Sequence, residues 1–369
     1  MLNWNFGIQH AFSNNLSLEV GYVGTHGDNL TGFVDLNQID PATGLRPYAT
    51  QFPYLRFITQ TTNDARSNYH SLQTTLTKRL SHGLNFTAGY TYGHGLDNGS
   101  LNRFGNLPQD SRNPAAEYGN SDTDIRHRLT LTATYLIPGK KGYGQLLEGW
   151  KLNAIVSLQS GLPWLVQDQG SDFSGTSEYA DRWNFFGNPD DFRSGSNSIP
   201  YCTHAGFEGC SVTNGATGDT TYFSPSESTA MWAQCTAVAP DPLPGGTLDT
   251  GGCYVKGKSV MVPPKQGSFG TMGRNIFRDR GFKNVDFSVF KDFRFRERIG
   301  AEFRVELFNV FNHPNFANPY GAAVGAGFND PSGGSSFGCG CTTPDVAAGN
   351  PLVGSGNSRV MQLGMKLTF

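Results

Sequence analysis

The chain has 369 residues, with 28 Lys+Arg against 30 Asp+Glu and only 16% charged residues, where a soluble domain carries about 25%. No apolar run approaches the roughly 20 residues of a membrane-spanning helix, and no basic excess marks a nucleic-acid partner. Glycine reaches 47 residues and aromatics 12%. The mean hydropathy of −0.38 reads as soluble only because strands alternating apolar and polar residues average to neutral.

Such alternation recurs nine times. Segment 2–12 sets Leu2, Trp4, Phe6 and Ile8 against Asn3, Asn5, Gly7 and Gln9; after a turn at 13–15, segment 16–25 sets Leu16, Leu18, Val20 and Tyr22 against Ser17, Glu19 and Gly21. Segments 67–80 (Leu72, Leu76, Leu80) and 84–94 (Leu84, Phe86, Ala88, Tyr90, Tyr92) flank a turn at 81–83. Segments 126–137 (Leu129, Leu131, Ala133, Tyr135, Ile137) and 149–160 (Trp150, Leu152, Ala154, Val156, Leu158) flank 138–148. Segments 282–293 (Val285, Phe287, Val289) and 299–311 (Ile299, Ala301, Phe303, Val305, Leu307) flank 294–298, and 358–369 closes the chain. Each strand of about 10–13 residues, tilted by about 45°, crosses an apolar band of about 25 Å.

The remaining connections, 26–66, 95–125, 161–281 and 312–357, are long and fall at every second position. A soluble sheet has no reason to place all its long loops at one end. A transmembrane antiparallel β-barrel does, with short periplasmic turns and long extracellular loops. Trp4, Tyr22, Tyr90 and Tyr92 then fall at the outer membrane boundary, and Tyr135, Trp150 and Phe369 at the inner one. Lys78 is the one lysine expected on a lipid face, near its inner end. The opposite face holds Glu19, Arg79, Arg128, Lys151, Asp286, Glu302, Arg304, Glu306 and Lys366, which suits a wet or filled lumen.

Cys202, Cys210, Cys235 and Cys253 form one group and Cys339 and Cys341 another. An even count in Gly-rich loops predicts disulfides outside the cytoplasm. Cys202 with Cys210 and Cys235 with Cys253 is the simplest scheme. Cys339-Gly340-Cys341 is too tight for a relaxed bridge, so pairing with the other loop stays open. A zinc site around Cys202, His204 and Cys210 matches no standard spacing. Glu117, Asp122 and Asp124 read as capping and salt-bridging groups for Arg126 or Arg128, with Ca²⁺ as the rival. Gly321 to Gly327 follows no strand-to-helix pattern and is a weak phosphate loop. No Ser, His and acid set has a recognisable spacing, so neither an enzyme nor a cofactor is expected.

Several motifs in order carry a family resemblance. They are Tyr69-His70-Ser71-Leu72-Gln73 with Lys78-Arg79-Leu80-Ser81-His82-Gly83-Leu84, Asp124-Ile125-Arg126-His127-Arg128, and Gln159-Ser160-Gly161-Leu162-Pro163. Gly273-Arg274-Asn275, Asn284 to Lys291, and Phe303 through Asn309 to His313-Pro314-Asn315-Phe316 complete the set. The chain resembles the barrel of Oar-like TonB-dependent transporters over nearly all its strands. The resemblance implies an outer-membrane location in a Gram-negative-type bacterium and a barrel of about 22 strands closed by a plug, of which residues 1–369 are the last nine. The plug, the TonB-binding segment and a signal peptide are then expected upstream, since MLNWNFGIQHAF has no basic n-region or apolar h-region.

Within that frame, Met361, Leu363, Met365, Leu367 and Phe369 look like the C-terminal signal read by the barrel assembly machinery, a case of strand addition. Glu302, Arg304 and Glu306 read as a lumenal ladder against a plug, with direct ligand contact as the alternative. The expected function is energy-coupled uptake of an unidentified ligand. The rival is a surface or adhesion protein displaying disulfide-bonded loops, and an outer-membrane barrel hydrolase comes third.

Overall fold

The computed structural model describes residues 1–100, 107–140, 143–178, 181–215, 217–295, 299–316, 328–332, 337–339 and 358–369. Nine long strands form one antiparallel meander, each bonded to the next. They are β1 (Leu2–Ser13), β2 (Leu16–Asp35), β3 (Thr59–Ser81), β4 (Leu84–Asp97), β5 (His127–Leu136), β6 (Trp150–Gln159), β7 (Phe282–Arg294), β8 (Gly300–Phe308) and β9 (Val360–Thr368). All nine expected strands are present, with the long connections at one end of the sheet and the tight ones at the other. The sheet is open, with β1 and β9 as its two edges.

Register decides the faces, because a one-residue slip would turn every side chain over. Phe6 pairs with Tyr22, Tyr22 with Leu72 and Leu72 with Tyr92. Further along, Ala133 pairs with Ala154, Ala154 with Phe287, Phe287 with Leu307 and Leu307 with Met361. These rows build one continuous apolar face that covers no core: Phe6 is 67% exposed and Leu363 70%. So extensive an exposed apolar surface fits contact with lipid.

Rings gather at both margins of this face. At the loop end, Tyr22 Oη and His70 Nδ1 lie 2.7 Å apart, and Tyr90 Oη and His127 Nδ1 2.8 Å apart. Trp4 stacks over Gly24, where a Cβ would come within 2.6 Å of the indole. At the turn end, Trp150 Nε1 donates to Leu146 O at 2.7 Å.

Lys78 donates to Ser81 at that end, but it is not alone on the lipid face. Lys291 pairs with Trp150 and Phe303, and Lys283 with Leu158, so both lie on the same side. The Lys291 ammonium turns down to the carbonyls of Gln145 and Glu148 and lies over the rings of Trp150 and Phe293. Snorkelling makes such a lysine tolerable near a membrane boundary.

Several strand limits differ from the alternation. β2 and β3 run on as a twisted ribbon to Asp35 and from Thr59, with bulges around Leu30, so the loop expected at 26–66 shrinks to a cap at 36–58. Above a bilayer neither face of a strand must be apolar, so the alternation vanishes while the backbone ladder continues. β8 stops at Phe308 rather than 311, because Asn309 and Asn312 adopt left-handed φ values of 50° and 53°. Asn309 exchanges hydrogen bonds with the His313 backbone at 2.9 and 3.0 Å. Asn315 imitates a strand partner, bonding both N and O of Lys283 at 2.7 and 2.9 Å.

The buried core lies in the loops. Within 161–281, a six-stranded sheet runs in the order 220–222, 210–213, 201–202, 253–256, 259–262, 184–186. Trp164, Phe173, Trp183, Phe192, Tyr254, Phe277 and Phe337 pack into one cluster, the last reaching in from the β8–β9 connection. Helix α1 (Pro225–Val238) starts with a capping box between Ser224 and Glu227 and covers a second cluster containing four cysteines.

Cys202 is bonded to Cys210 and Cys235 to Cys253. Cys339 is also disulfide-bonded, and pairing with the larger loop is excluded because its four cysteines pair among themselves. Cys341 and Gly321 to Gly327 lie outside the described residues. Cys235–Cys253 ties α1 to its sheet. Replacing both cysteines by Ser should lower the stability of this loop unit by about 3 kcal/mol, read as the urea midpoint of loop proteolysis. An unchanged midpoint would mean that the bridge is incidental.

Candidate functional site at the loop end and the lumenal wall

The strand tops are joined to the large loop by buried ionic groups. β5 begins within Asp124-Ile125-Arg126-His127-Arg128. The Asp124 carboxylate accepts from Gly95 N at 2.7 Å and Arg126 Nε at 2.9 Å, and it is paired with Arg278 from beyond the aromatic cluster. Burial pushes this carboxyl up, but the Gly95 N–H, Arg278 and Arg126 outweigh it and hold it below the usual carboxylate range.

Arg274 is the centre of the arrangement, its side chain 1% exposed. One guanidinium nitrogen donates to Asp97 Oδ1 at 2.5 Å, Ser100 Oγ at 2.6 Å and Asn120 O at 3.0 Å, and the other to Asp97 O at 3.0 Å. The neighbouring Asn275 donates to Asp122 Oδ1 and Asn120 O. Its φ of 55° is left-handed, which lets consecutive side chains of the Gly273-Arg274-Asn275 motif reach the same segment. A second buried ion pair joins Arg182 to Glu117 at 2.7 Å.

Asp124 pairs with Arg126 as expected, and all three carboxylates accept from groups within the protein. Their main cationic or amide partners are Arg182, Asn275 and Arg278, all distant in sequence, with Arg126 the local one. Of the residues nominated for zinc, Cys202 and Cys210 are consumed in a disulfide. Among the described residues no group of three His, Cys, Asp or Glu is placed to hold a metal ion. Asp181 and Asp279, buried in the same loop unit, are both pushed up to about 6, by burial above all.

On the polar face of the sheet, Lys151 Nζ lies 3.0 Å from both Asp292 and Glu302, and Glu302 pairs across the ladder with Lys366. Arg304 lies against Gly364, where a Cβ would come within 2.8 Å of its Nε. Glu306 stands between Ser288 and Gln362. The row is thus ion-paired near the turn end, while Arg304 and Glu306 above it have no ion pair among the described residues. The surrounding wall of Thr130, Thr132, Thr134, Asn153 and Ser157 is polar and uncharged. Met361, Leu363, Met365 and Leu367 line the apolar face of edge strand β9, and Phe369 is 97% exposed.

Sequence reasoning singled out the motifs holding Arg274, Asn275 and Asp124 but assigned no role to Arg274, Arg278 or Arg182. A lone arginine in a long loop carries no periodic signal, and its partners are set by the folded loops.

No curated protein matches the chain. Among solved structures it is similar to the ferripyoverdine receptor of the Pseudomonas aeruginosa outer membrane, at 10% identity and a TM-score of 0.40 over 100% of this chain and 27% of that one. It is also similar to the Escherichia coli outer membrane transporter YddB, at 9% and 0.41 over 100% and 32%. A third similar structure is the ferric-catecholate import receptor Fiu of E. coli K12, at 9% and 0.33 over 100% and 35%. The chain spans about a third or less of the length of these structures. The family model described as "Outer membrane beta barrel domain" matches residues 1–362; with its alternating faces, aromatic margins and one-sided loops, the chain belongs to that family and to the cell outer membrane.

Proposed function

We propose that the chain is the C-terminal part of the barrel of a TonB-dependent receptor, which takes up a ligand across the outer membrane using energy relayed from the inner membrane. The observation that carries this reading is the pairing of a polar sheet face with an ordered assembly of long loops at one end of it. A wall of hydroxyl, amide and part-paired charged groups suits a filled lumen, and loops with their own aromatic core suit capture of a ligand outside the cell. The ordered motifs from Tyr69 to Asn315 support the Oar-like subgroup. No reaction is catalysed on this reading. Edges β1 and β9 would be closed by upstream strands in a barrel of about 22, and unpaired edges of this length are otherwise an aggregation hazard. Glu302 and Lys151 would face the plug, Arg304 and Glu306 the lumen above it.

The partners implied are outer-membrane lipid, the barrel assembly machinery recognising β9, and the TonB system acting through upstream sequence. The test is uptake by cells expressing the complete gene, with and without a functional TonB system. Accumulation of the ligand should require both. Ligand retention at the surface, unaffected by loss of TonB, would instead support the adhesion reading, which the doubly disulfide-bonded loop unit favours.

A further inference from the structure

The cap above β2 and β3 meets the large loop through two carboxyl groups. Asp35, at the end of β2, has a side chain with no exposure. Its Oδ1 accepts from Asn37 N at 2.9 Å and Ile58 N at 2.8 Å, closing the base of the cap. Glu178 comes from the large loop, and its Oε2 accepts from Gln38 Nε2 at 2.7 Å. The remaining oxygens, Asp35 Oδ2 and Glu178 Oε1, are buried and find no other hydrogen-bond partner among the described residues, and the two side chains are within hydrogen-bonding reach of each other. Two ionised carboxylates cannot bond one another. One proton between them satisfies both oxygens at once.

We propose that Asp35 and Glu178 form a proton-dependent clasp, which fastens the extracellular cap 36–58 to the large loop in acid and releases it as the medium turns alkaline. Besides Asp35, the charged Arg46 of the cap acts on Glu178. Its guanidinium is 3.8 Å from Asp35 Oδ2 and is occupied by the carbonyls of Asn37 and Arg56, so it attracts the pair without replacing the proton. Arg112, on the third segment packed here, is taken up by Asp40 and Asp110.

Burial first, and the Asp35 carboxylate second, push Glu178 up to about 9. A raised carboxyl means that the closed form holds a proton which the open form releases. Closure is therefore strongest below about pH 4.5 and weakens by up to tenfold per pH unit until about pH 9. Release would free a cap whose Tyr54 and Phe57 are already exposed, changing the aromatic surface offered to the medium. The inference stands whether those loops capture a nutrient or an adhesion partner.

The experiment follows proteolytic cutting within 36–58 in outer membranes carrying the full protein, between about pH 6 and pH 8. Glu178→Gln serves as the reference at each pH, which cancels the protease's own pH response. The Gln amide donates to Asp35 and its carbonyl accepts from Gln38, so this variant stays closed throughout. The wild-type rate relative to this variant should rise at least tenfold across the interval. Asp35→Asn, which keeps the Asn37 and Ile58 acceptor and donates to ionised Glu178, should abolish the rise. A flat ratio, or a rise that survives in Asp35→Asn, overturns the proposal.

Discussion

Replacing Arg274 by Ala should cost the loop assembly about 3–5 kcal/mol, the range for removing one partner of a buried ion pair. The guanidinium spans Asp97, Ser100 and Asn120 at 2.5 to 3.0 Å, and Asp97 is left buried when it goes. Ser100 also donates to Asp97, which recovers part of the loss but does not neutralise the carboxylate. Arg274→Lys should rescue only weakly, since one ammonium cannot satisfy acceptors laid out for a planar fork. The urea midpoint of protease protection in residues 161–281 reads the effect in outer membranes. A loss below about 1 kcal/mol, the scale of an exposed pair, would mean that the loops are held by their aromatic core alone.

A charge placed on β9 should separate its two faces. Leu363→Arg sets a cation on the apolar side and should cost about 2–4 kcal/mol at mid-bilayer, whereas Gln362→Arg enters the polar lumen and should be nearly neutral. The amount of heat-modifiable, membrane-inserted protein measures both. Equal damage from the two would contradict the register of β8 with β9. Removing Phe369 in the same assay should lower insertion if the terminal aromatic is read during assembly, and unchanged insertion would refute that role.

The strands were legible because a bilayer constrains each one separately. Any segment with lipid on one side and lumen on the other must alternate, so nine segments from 2–12 to 358–369 announce themselves without knowledge of their neighbours. The uneven spacing of turns and loops then sets their order and sidedness. The same physics explains the misses. The upper parts of β2 and β3 leave the membrane and lose the pattern, although their backbone ladder persists to Asp35 and Thr59. Lys291 was not recognised as lipid-facing, because its acceptability depends on carbonyls in the 143–149 turn and on the Trp150 ring.

The candidate site divides in the same way. Glu302, Arg304 and Glu306 could be placed on the polar face from alternation, but the ion pair of Glu302 with Lys151 needs β6, β7 and β8 side by side. The two disulfides followed from the simplest scheme, and the exclusion of a link from Cys339 to that loop followed only once all four partners had paired. Arg274, Arg278 and Glu178 were invisible as functional groups. Each lies in a loop without periodicity, and its side-chain partner is 140 or more residues away, on a different strand connection.

By itself, then, the sequence determined a membrane β-sheet of nine antiparallel strands, its two faces and the end that carries the loops. Tertiary structure alone decided that those loops share a packed aromatic core, that Arg274 joins them to the strand tops, and that Asp35 meets Glu178. The reason is range: the bilayer acts on every strand locally through alternate residues, whereas a loop has no outside reference and acquires its contacts only when distant segments have come together.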